Sequence, residues 1–506
     1  MDVKTNNKTG MSSAEAARWF WAVVGFFALL WVLLPTLLHT GYRSDVIELQ
    51  SIAPEWVWAT KKHPMLPAWI LEIVNLLMCR SFAAPFTASQ LCAILALWSV
   101  WRLGRTVLDE RLALLGAFAL LHYSFFTMQS TIYNQNNALI AFWCLSIYLV
   151  FQALQTNQKR YWITAGIALG LTFHAKYPAV FLVLSILTYM FSRESGRKLL
   201  RTPGPWITTL TAFLIFLPHL VWLFYYDFIS LTYASERQVA LSQWHQQFLA
   251  PLYFVAGQLR YWILPLIILL PVIGFVWKIQ YHKQGKAKEC EKFLFYCFMI
   301  PLACHLFYCG INGVPLRPSY GAPFWVFVGL WLLLRLQTKT TSQSFRQTAA
   351  LVIVIELLIV AGFIATFYMG KQAAFVYYPM RALGTTCSQI WDSRFPNDNC
   401  LYVAGIDDGF TGRSNCGLIG FAAYSMSGKP SAILAYGTWA NDDDLNRKGG
   451  MIIWERENGE KDIPESLRQR FPNAEVLPEA PELPYKVGRK PHVLKLGIAV
   501  IPPPEP

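Results

Sequence analysis

The chain has 506 residues, of which 55% are hydrophobic and only 14% are charged. Soluble domains carry roughly a quarter charged residues, so this composition excludes an ordinary soluble protein. The net charge of +13 does not indicate a nucleic-acid partner, because residues 1–370 hold 28 basic and 14 acidic side chains whereas residues 371–506 hold 15 and 16. The positive excess lies in short loops between apolar segments, and that distribution is a signal of membrane topology.

The apolar segments predict an α-helical polytopic membrane protein with about 11 transmembrane helices, since a helix needs about 20 residues to cross a bilayer. The predicted spans are residues 19–40, 86–104, 112–131, 134–154, 161–176, 178–192, 205–225, 257–277, 293–311, 320–336 and 348–369. The first span follows Lys4, Lys8 and Arg18. It is longer than the apolar region of a signal peptide and lacks a small-residue cleavage site after it, so we interpret it as a retained helix.

Residues 66–82 are also apolar, but they contain Glu72, Asn75 and Arg80. We predict that this segment lies along the membrane interface, because the basic loops then all fall on one side together with the basic N-terminus. That side is expected to be cytoplasmic, in an inner membrane. The first outer loop, 41–85, the large outer loop at about 227–256 and the C-terminal tail are then expected on the periplasmic side.

The tail, residues 371–506, alternates short apolar stretches with turn residues and has one amphipathic stretch, which predicts a small soluble α/β domain. Three of the ten cysteines, Cys387, Cys400 and Cys416, lie in it. An oxidising compartment would favour one disulfide among them, and the sequence leaves open which two pair.

Polar side chains gather at the predicted outer ends of the spans. Asp45 and Glu48 follow the first span and share a helix face, where a carboxylate can act as a general base or belong to a solvated loop. Lys61 and Lys62 can bind the phosphate of a lipid carrier or anchor the chain at headgroups. Lys176 lies at the end of a span, where it is either functional or reaches the interface. Further polar residues near this face are His63, Asn134, Asn136, Asn137, Tyr177, His219, Arg237, Gln258, Arg260, Arg317 and Tyr320.

At these residues the sequence resembles the bacterial GT-C glycosyltransferases, which are related to protein O-mannosyltransferases and to the aminoarabinose transferase of lipid A. It is most similar to the rhizobial galacturonosyltransferase-like group. The resemblance covers about residues 19–335, and more loosely the tail, and rests on short motifs in a matching order. These motifs are the acidic pair Asp45 and Glu48, the segment Lys61-Lys62-His63-Pro64 with Trp69, the pair Lys176-Tyr177, the segment from Leu217-Pro218-His219 to Arg237, the segment Gly257-Gln258-Leu259 and the turn Arg317-Pro318-Ser319-Tyr320.

The resemblance implies an enzyme that takes sugar from a polyprenyl-phosphate donor by inverting transfer at the outer leaflet. The acceptor would be an envelope glycolipid, such as lipid A or lipopolysaccharide core, or a protein. Asp45 would orient or deprotonate the acceptor with help from Glu48, and Lys61, Lys62, Lys176 and Arg237 would hold the departing phosphate, which is electrostatic catalysis. A divalent metal remains open as a cofactor.

Two other hypotheses come from different classes of protein. A transporter or flippase of a lipid-linked substrate would also be polytopic and polar inside, but transporters tend to show internal repeats and broken midplane helices. A scaffold that only presents the tail would leave the polar cluster at the outer ends without a purpose. Membrane lipids are expected partners in every case, and nucleic acid in none.

Overall fold

The structure is a computed structural model of the full chain. It describes residues 11–236, 241, 243–274, 285–336, 340–371, 374–398, 400, 402–405, 442–456, 462–478 and 481–504. A helical bundle occupies the chain up to Tyr368, and the C-terminal part combines short helices with a small sheet. The prediction of a helical membrane protein with a small α/β tail is confirmed.

The bundle and the segment that follows it contain seventeen helices within the described ranges. They are α1 (Ser13–Leu38), α2 (Ser44–Ile52), α3 (Leu66–Leu77), α4 (Ala84–Gly104), α5 (Glu110–Ala119), α6 (Gln135–Thr156), α7 (Lys159–Ala175), α8 (Ala179–Ser192), α9 (Glu194–Leu199), α10 (Pro203–Tyr225), α11 (Ile229–Glu236), α12 (Trp244–Ile273), α13 (Lys286–Asn312), α14 (Ala322–Trp325), α15 (Val328–Arg335), α16 (Ser342–Tyr368) and α17 (Met380–Arg394). Short 3-10 turns lie at Ala53–Glu55, Leu120–His122, Ser124–Phe126, Met128–Thr131, Pro318–Gly321 and Ala374–Tyr377.

Seven of the described helices are long and apolar enough to cross a membrane, namely α1, α4, α6, α10, α12, α13 and α16. The other four predicted spans coincide with shorter elements. Residues 112–131 form α5 and three 3-10 turns, 161–176 and 178–192 form α7 and α8, and 320–336 form α14 and α15 after a turn. The chain is therefore a multi-pass membrane protein, in which several predicted spans are short or broken helices.

Helix α3 corresponds to the apolar segment that we expect at the interface. Its 12 residues extend about 18 Å, well short of the about 30 Å hydrocarbon core. Its polar groups are satisfied inside the protein, because Glu72 binds Arg80 and Asn75 exchanges hydrogen bonds with the amide of Gln50. The Asn75 amide thus fixes α3 against α2, and the Glu72 carboxylate holds Arg80 just after the helix.

Ion pairs join the helix ends at the basic end of the bundle. Glu289 and Glu291, near the start of α13, contact Arg193 after α8 and Arg335 at the end of α15. Glu110 at the start of α5 contacts Arg105 after α4. Part of the positive excess in these loops is therefore neutralised by contacts that hold neighbouring helices in register.

The tail has a five-stranded sheet in the described ranges, made of β1 (Val403–Ala404), β2 (Gly450–Glu455), β3 (Glu475–Val476), β4 (Glu482–Val487) and β5 (Lys490–Ile501). The long β5 pairs antiparallel with β4 through its first half, and with β2 and β3 through its second half, while β1 adds parallel to β2. Helices α18 (Asp442–Lys448) and α19 (Glu465–Arg470) cover this sheet with Leu445 and Leu467.

Cross-strand packing fixes one glycine in this sheet. Trp454 on β2 lies directly opposite Gly497 on β5, and a Cβ atom at position 497 would overlap the indole. The glycine therefore makes room for a fully buried tryptophan in the core of the tail.

The tail is attached to the bundle through backbone hydrogen bonds. The N–H groups of Thr40 and Gly41 donate to the carbonyl of Val376 at 2.9 and 3.0 Å, and the Tyr377 hydroxyl donates to the carbonyl of Phe367. Gly41 is required there because a Cβ atom would collide with the carbonyl of Phe375. These contacts set the tail next to the segment between α1 and α2.

Two of the three tail cysteines lie in the described part of the chain. Cys387 and Cys400 are both buried in the core that α17 helps to form, and the Cys387 thiol is not in a disulfide. Burial raises the pKa of Cys387 to about 12, with a further contribution from Cys400. Cys416 lies outside the described residues, so the expected disulfide stays a prediction.

Candidate functional site

Asp45 lies in the first turn of α2 and contacts the first turn of α6. The side-chain amide of Asn134 donates to Asp45 Oδ2 at 2.9 Å. Asn134 is also the N-cap of α6, because its Oδ1 accepts from the backbone N–H of Asn136 at 2.9 Å. Asn is among the best N-cap residues, and here the same side chain both starts a helix and holds a carboxylate, which remains half-buried.

Lys176 ends α7 and lies on the other side of the same asparagine turn. Its Nζ donates to Asn136 Oδ1 at 2.9 Å and stands 5.0 Å above the ring of Tyr320. The ammonium interacts electrostatically with the carboxylate of Asp45 and with the guanidinium of Arg317. The structure thus brings Lys176 together with Asp45, Asn136 and the segment 317–320, which are distant from it in sequence, at one end of the bundle.

Glu48 and Lys62 form an ion pair with each other. Lys62 Nζ lies 3.0 Å from Glu48 Oε1, and the two side chains are only 4% and 10% exposed. A buried pair of this kind loses much when one partner is removed. The contact fixes α2, which carries Asp45, to the turn that carries the two lysines.

Lys61 and His63 lie on a tight turn between residues 59 and 64. The Thr60 N–H donates to the His63 carbonyl at 3.1 Å, and the Thr60 carbonyl accepts from Ser230 Oγ on α11 at 2.8 Å. The Lys61 ammonium stands 6.0 Å from the ring of Tyr233, also on α11. Helix α11 therefore holds the turn in place and leaves Lys61 and His63 half-buried.

Tyr177 and His219 are in direct contact. The phenol oxygen lies 3.1 Å from His219 Nε2, and His219 is fully buried between neighbouring aromatic rings. Burial raises the pKa of Tyr177 to about 12, so the phenol stays neutral at physiological pH. This pair links the end of α7 to the end of α10.

Gln258 on α12 holds the turn Pro318–Gly321. Its side-chain amide donates to the Pro318 carbonyl at 2.6 Å, and Gln258 itself is fully buried. The residue before it, Gly257, packs so closely on Pro318 that a Cβ atom would stand 2.5 Å from the proline ring. The turn that presents Arg317 and Tyr320 is thus positioned by α12.

We call this end of the bundle the rim, defined by the start of α2, residues 59–64, the start of α6, residues 176–177, the ends of α10 and α11, and residues 317–321. Exposure divides the site residues predicted from the sequence into two groups. Those with accessible surface are Asp45, Lys61, His63, Lys176, Tyr177, Arg317 and Tyr320. Those that are buried are Glu48, Lys62, His219 and Gln258. Arg237 lies outside the described residues.

The accessible group combines one carboxylate with three cations. The cations of such a set can bind an anionic group while the carboxylate accepts a proton nearby. The same cations can stabilise a departing phosphate electrostatically. Within the described residues no three His, Cys, Asp or Glu side chains are grouped so as to hold a metal ion. No step is assigned here to a divalent metal.

The sequence analysis named Asn134 and Asn136 only as polar residues near this face and predicted no contact of theirs with Asp45 or Lys176. It did not single out Arg43, the residue before α2, whose guanidinium interacts with Asp45. His305 on α13 was also missed; it interacts electrostatically with Lys176 and packs between the rings of Phe254 and Phe324. Three asparagines within four residues, 134–137, were the available signal for Asn134 and Asn136, whereas His305 looks like any core histidine in sequence.

Comparison with known proteins supports a glycosyltransferase fold. Residues 62–222 match the family model described as dolichyl-phosphate-mannose-protein mannosyltransferase. This matched range includes Lys62, the start of α6, Lys176 and His219. No curated protein matches the chain in sequence.

Two solved structures have a similar fold along almost the whole chain. The crystal structure of ArnT from Cupriavidus metallidurans in the apo state gives a TM-score of 0.53 at 12% identity, covering 96% of this chain and 98% of that one. ArnT from the same organism bound to undecaprenyl phosphate gives a TM-score of 0.52, also at 12% identity, covering 97% and 98%. The chain therefore has the GT-C fold that its sequence resembles.

Proposed function

We propose that this chain of GT-C fold is a membrane glycosyltransferase that moves a sugar from a polyprenyl-phosphate carrier to an envelope acceptor. The observation that supports it most is the meeting of Asp45, Lys176 and Arg317 at the rim, where a carboxylate and two cations interact across the start of α6. The ArnT structure bound to undecaprenyl phosphate supports a carrier of that chemical class.

The proposed reaction is a single displacement with inversion. An acceptor hydroxyl oxygen attacks the anomeric carbon of the donor, the bond from that carbon to the phosphate oxygen breaks, and the polyprenyl phosphate leaves with the electron pair. Asp45 takes the acceptor proton as the general base. Lys176, Arg317 and Lys61 stabilise the charge that develops on the phosphate, since fixed cations in a water-poor site act strongly on it.

The buried polar residues have a supporting role in this proposal. The ion pair of Glu48 with Lys62 fixes α2 and thereby the direction of Asp45, and Gln258 fixes the turn that carries Arg317 and Tyr320. This narrows the roles expected from sequence, in which Glu48 assists the base and Lys62 binds phosphate.

We further propose that transfer takes place at the outer face of the cytoplasmic membrane, with a glycolipid such as lipid A or lipopolysaccharide core as the acceptor. The support for the outer face is the basic side of the bundle, which is opposite the rim and is expected to be cytoplasmic. The tail, docked beside the segment 40–42, would then lie next to the acceptor.

Mass spectrometry of envelope glycolipids tests the proposal. Cells that express the wild-type chain should contain a glycolipid with an added sugar that is missing in cells without it, and cells expressing Asp45→Asn should resemble the latter. Purified protein in nanodiscs should also bind undecaprenyl phosphate. Identical glycolipid profiles together with no binding of undecaprenyl phosphate would overturn the proposed function.

A further inference from the structure

Side chains at the start of α6 contact both Asp45, the proposed general base, and Lys176, one of the cations proposed to bind the phosphate. Asn134 contacts the carboxylate of Asp45, and Asn136 contacts the ammonium of Lys176, each at 2.9 Å. The two asparagines are two residues apart, one as the N-cap and one inside the first turn of the helix.

Asp45 and Lys176 attract each other, and the described structure contains no direct ion pair between them. Opposite charges that are half-buried and close would form such a pair unless other groups held them apart. A direct pair would be unproductive, because the ammonium would be neutralised before a phosphate arrived and the carboxylate would be a weaker base.

The geometry points to a spacing role for these two asparagines: Asn134 retains Asp45 and Asn136 retains Lys176, so that base and phosphate-binding cation stay separate. This inference rests on the proposed function and assigns two positioning residues to it. Neutral amides suit the task because one amide offers a donor to the carboxylate and the other an acceptor to the ammonium.

Asn137 offers a matched comparison in the same turn. Its Oδ1 accepts from the backbone N–H of Asn134 at 2.9 Å, and its Nδ2 donates to Ser89 Oγ at 2.8 Å. These contacts stabilise the start of α6 but touch neither Asp45 nor Lys176. Replacement of Asn137 therefore shows how a weakened helix start alone affects undecaprenyl phosphate binding.

The experiment measures undecaprenyl phosphate binding to the full-length protein in nanodiscs. The variant Asn134→Ser keeps an N-cap oxygen but loses the amide donor to Asp45, so the helix start should persist. We expect its Kd to rise about tenfold, which corresponds to about 1.4 kcal/mol, because Asp45 then pairs with Lys176. The double variant Asn134→Ser/Asp45→Asn should have the same Kd as the single variant Asp45→Asn, because no carboxylate is left to pair with Lys176. A purely structural role of Asn134 would not produce this equality.

Asn136 is tested in the same assay with Asn136→Asp. A carboxylate in the first turn favours the helix, yet it gives Lys176 a permanent counterion, so we expect weaker binding with unchanged thermal stability. Asn137→Ala should lower thermal stability and leave the Kd within about twofold of wild type, well under the 1.4 kcal/mol that a factor of ten represents.

The outcomes separate this inference from the proposed function. If the wild-type protein binds undecaprenyl phosphate and Asn134→Ser binds it equally well, the spacing role alone is overturned. The same conclusion follows if the double variant binds more weakly than Asp45→Asn alone. If Asn137→Ala weakens binding as much as Asn134→Ser, the effect belongs to the helix start and the spacing role is also overturned. A wild-type protein that does not bind undecaprenyl phosphate overturns the proposed function and this inference together.

Discussion

Charged side chains at the rim differ in what surrounds them, and this decides how each can act. Asp45 and Lys176 are half-buried and held by neutral amides, so they keep their charges available. Glu48 and Lys62 face each other in the interior. Residues that look alike in sequence, two carboxylates and several lysines, are thus divided by burial into those that can meet a substrate and those that hold α2.

Replacement of Asp45 by Asn tests the first group. The change keeps the size of the side chain, so we expect a folded and inserted protein whose turnover falls by a factor of about 10² to 10⁴. Single-turnover transfer in nanodiscs, with the donor found by glycolipid analysis, measures it. The matched control is Asp109→Asn at the N-cap of α5, on the basic end, where Asn also caps well and turnover should not change. Wild-type turnover by the Asp45 variant would remove this residue from the mechanism.

Replacement of Lys62 by Met tests the second group. It removes the cation that contacts a carboxylate with only 10% exposure, and breaking a buried pair in this way costs about 3–5 kcal/mol. We expect a clear drop in the thermal unfolding temperature in detergent, and a partial recovery when Glu48→Gln is added, because the buried side chain that lost its cation is then neutral. A single Lys62 variant as stable as wild type would show that the pair does not fix α2.

Short elements between the long spans carry most of the rim. Helix α2, the 59–64 turn, α11 and the 318–321 turn all lie between spans and carry or support most of the polar residues. Specific side-chain contacts join these elements to their neighbours, for example Ser230 to the Thr60 carbonyl and Gln258 to the Pro318 carbonyl. Small changes at those contacts should therefore alter the site without unfolding the bundle.

Gly257→Ala provides a test at this scale. A Cβ atom there would stand 2.5 Å from the Pro318 ring, so the turn must move and take Tyr320 away from the Lys176 ammonium. A cation–π contact contributes about 0.5–2 kcal/mol, so we expect undecaprenyl phosphate to bind several-fold more weakly. Gly310→Ala on α13, where a Cβ atom would have no neighbour within 4 Å, should leave binding unchanged. Equal affinities of both variants would contradict the positioning of the turn by α12.

At the scale of the whole molecule, basic loops and rim lie at opposite ends of the bundle, and the tail joins the rim end through Thr40, Gly41 and Val376. The distribution of Lys and Arg then predicts which end faces the cytoplasm. The same distribution predicts that the N-terminus is inside and that the tail is outside.

Reporter fusions test this orientation. Alkaline phosphatase fused after Pro506 should be active, whereas the same enzyme fused within residues 102–111 or 278–292 should be inactive, and green fluorescent protein should show the reverse. The expectation follows from the positive-inside rule, which depends on short basic loops such as these. Activity of the phosphatase only at the basic loops would invert the topology and place the rim in the cytoplasm.

The sequence by itself determined the membrane class, the α/β tail and most of the polar residues of the rim. It could do so because the length of an apolar segment and the Lys and Arg content of the adjoining loops are local properties of the sequence. These two properties determine whether a segment spans a bilayer and in which direction. It did not determine which spans are continuous helices, since the apolar segments 112–131 and 320–336 are each divided into shorter elements in the structure.

Only the tertiary structure decided which charges are available. Whether Lys62 meets Glu48 and Lys176 meets Asn136 depends on contacts across 14 and 40 positions of the chain, which composition and spacing do not encode. The same holds for Asn134, whose contact with Asp45 spans 89 positions. A helix cap is a local property that sequence reveals, but the second hydrogen bond of the same side chain exists only because α2 is packed against the start of α6.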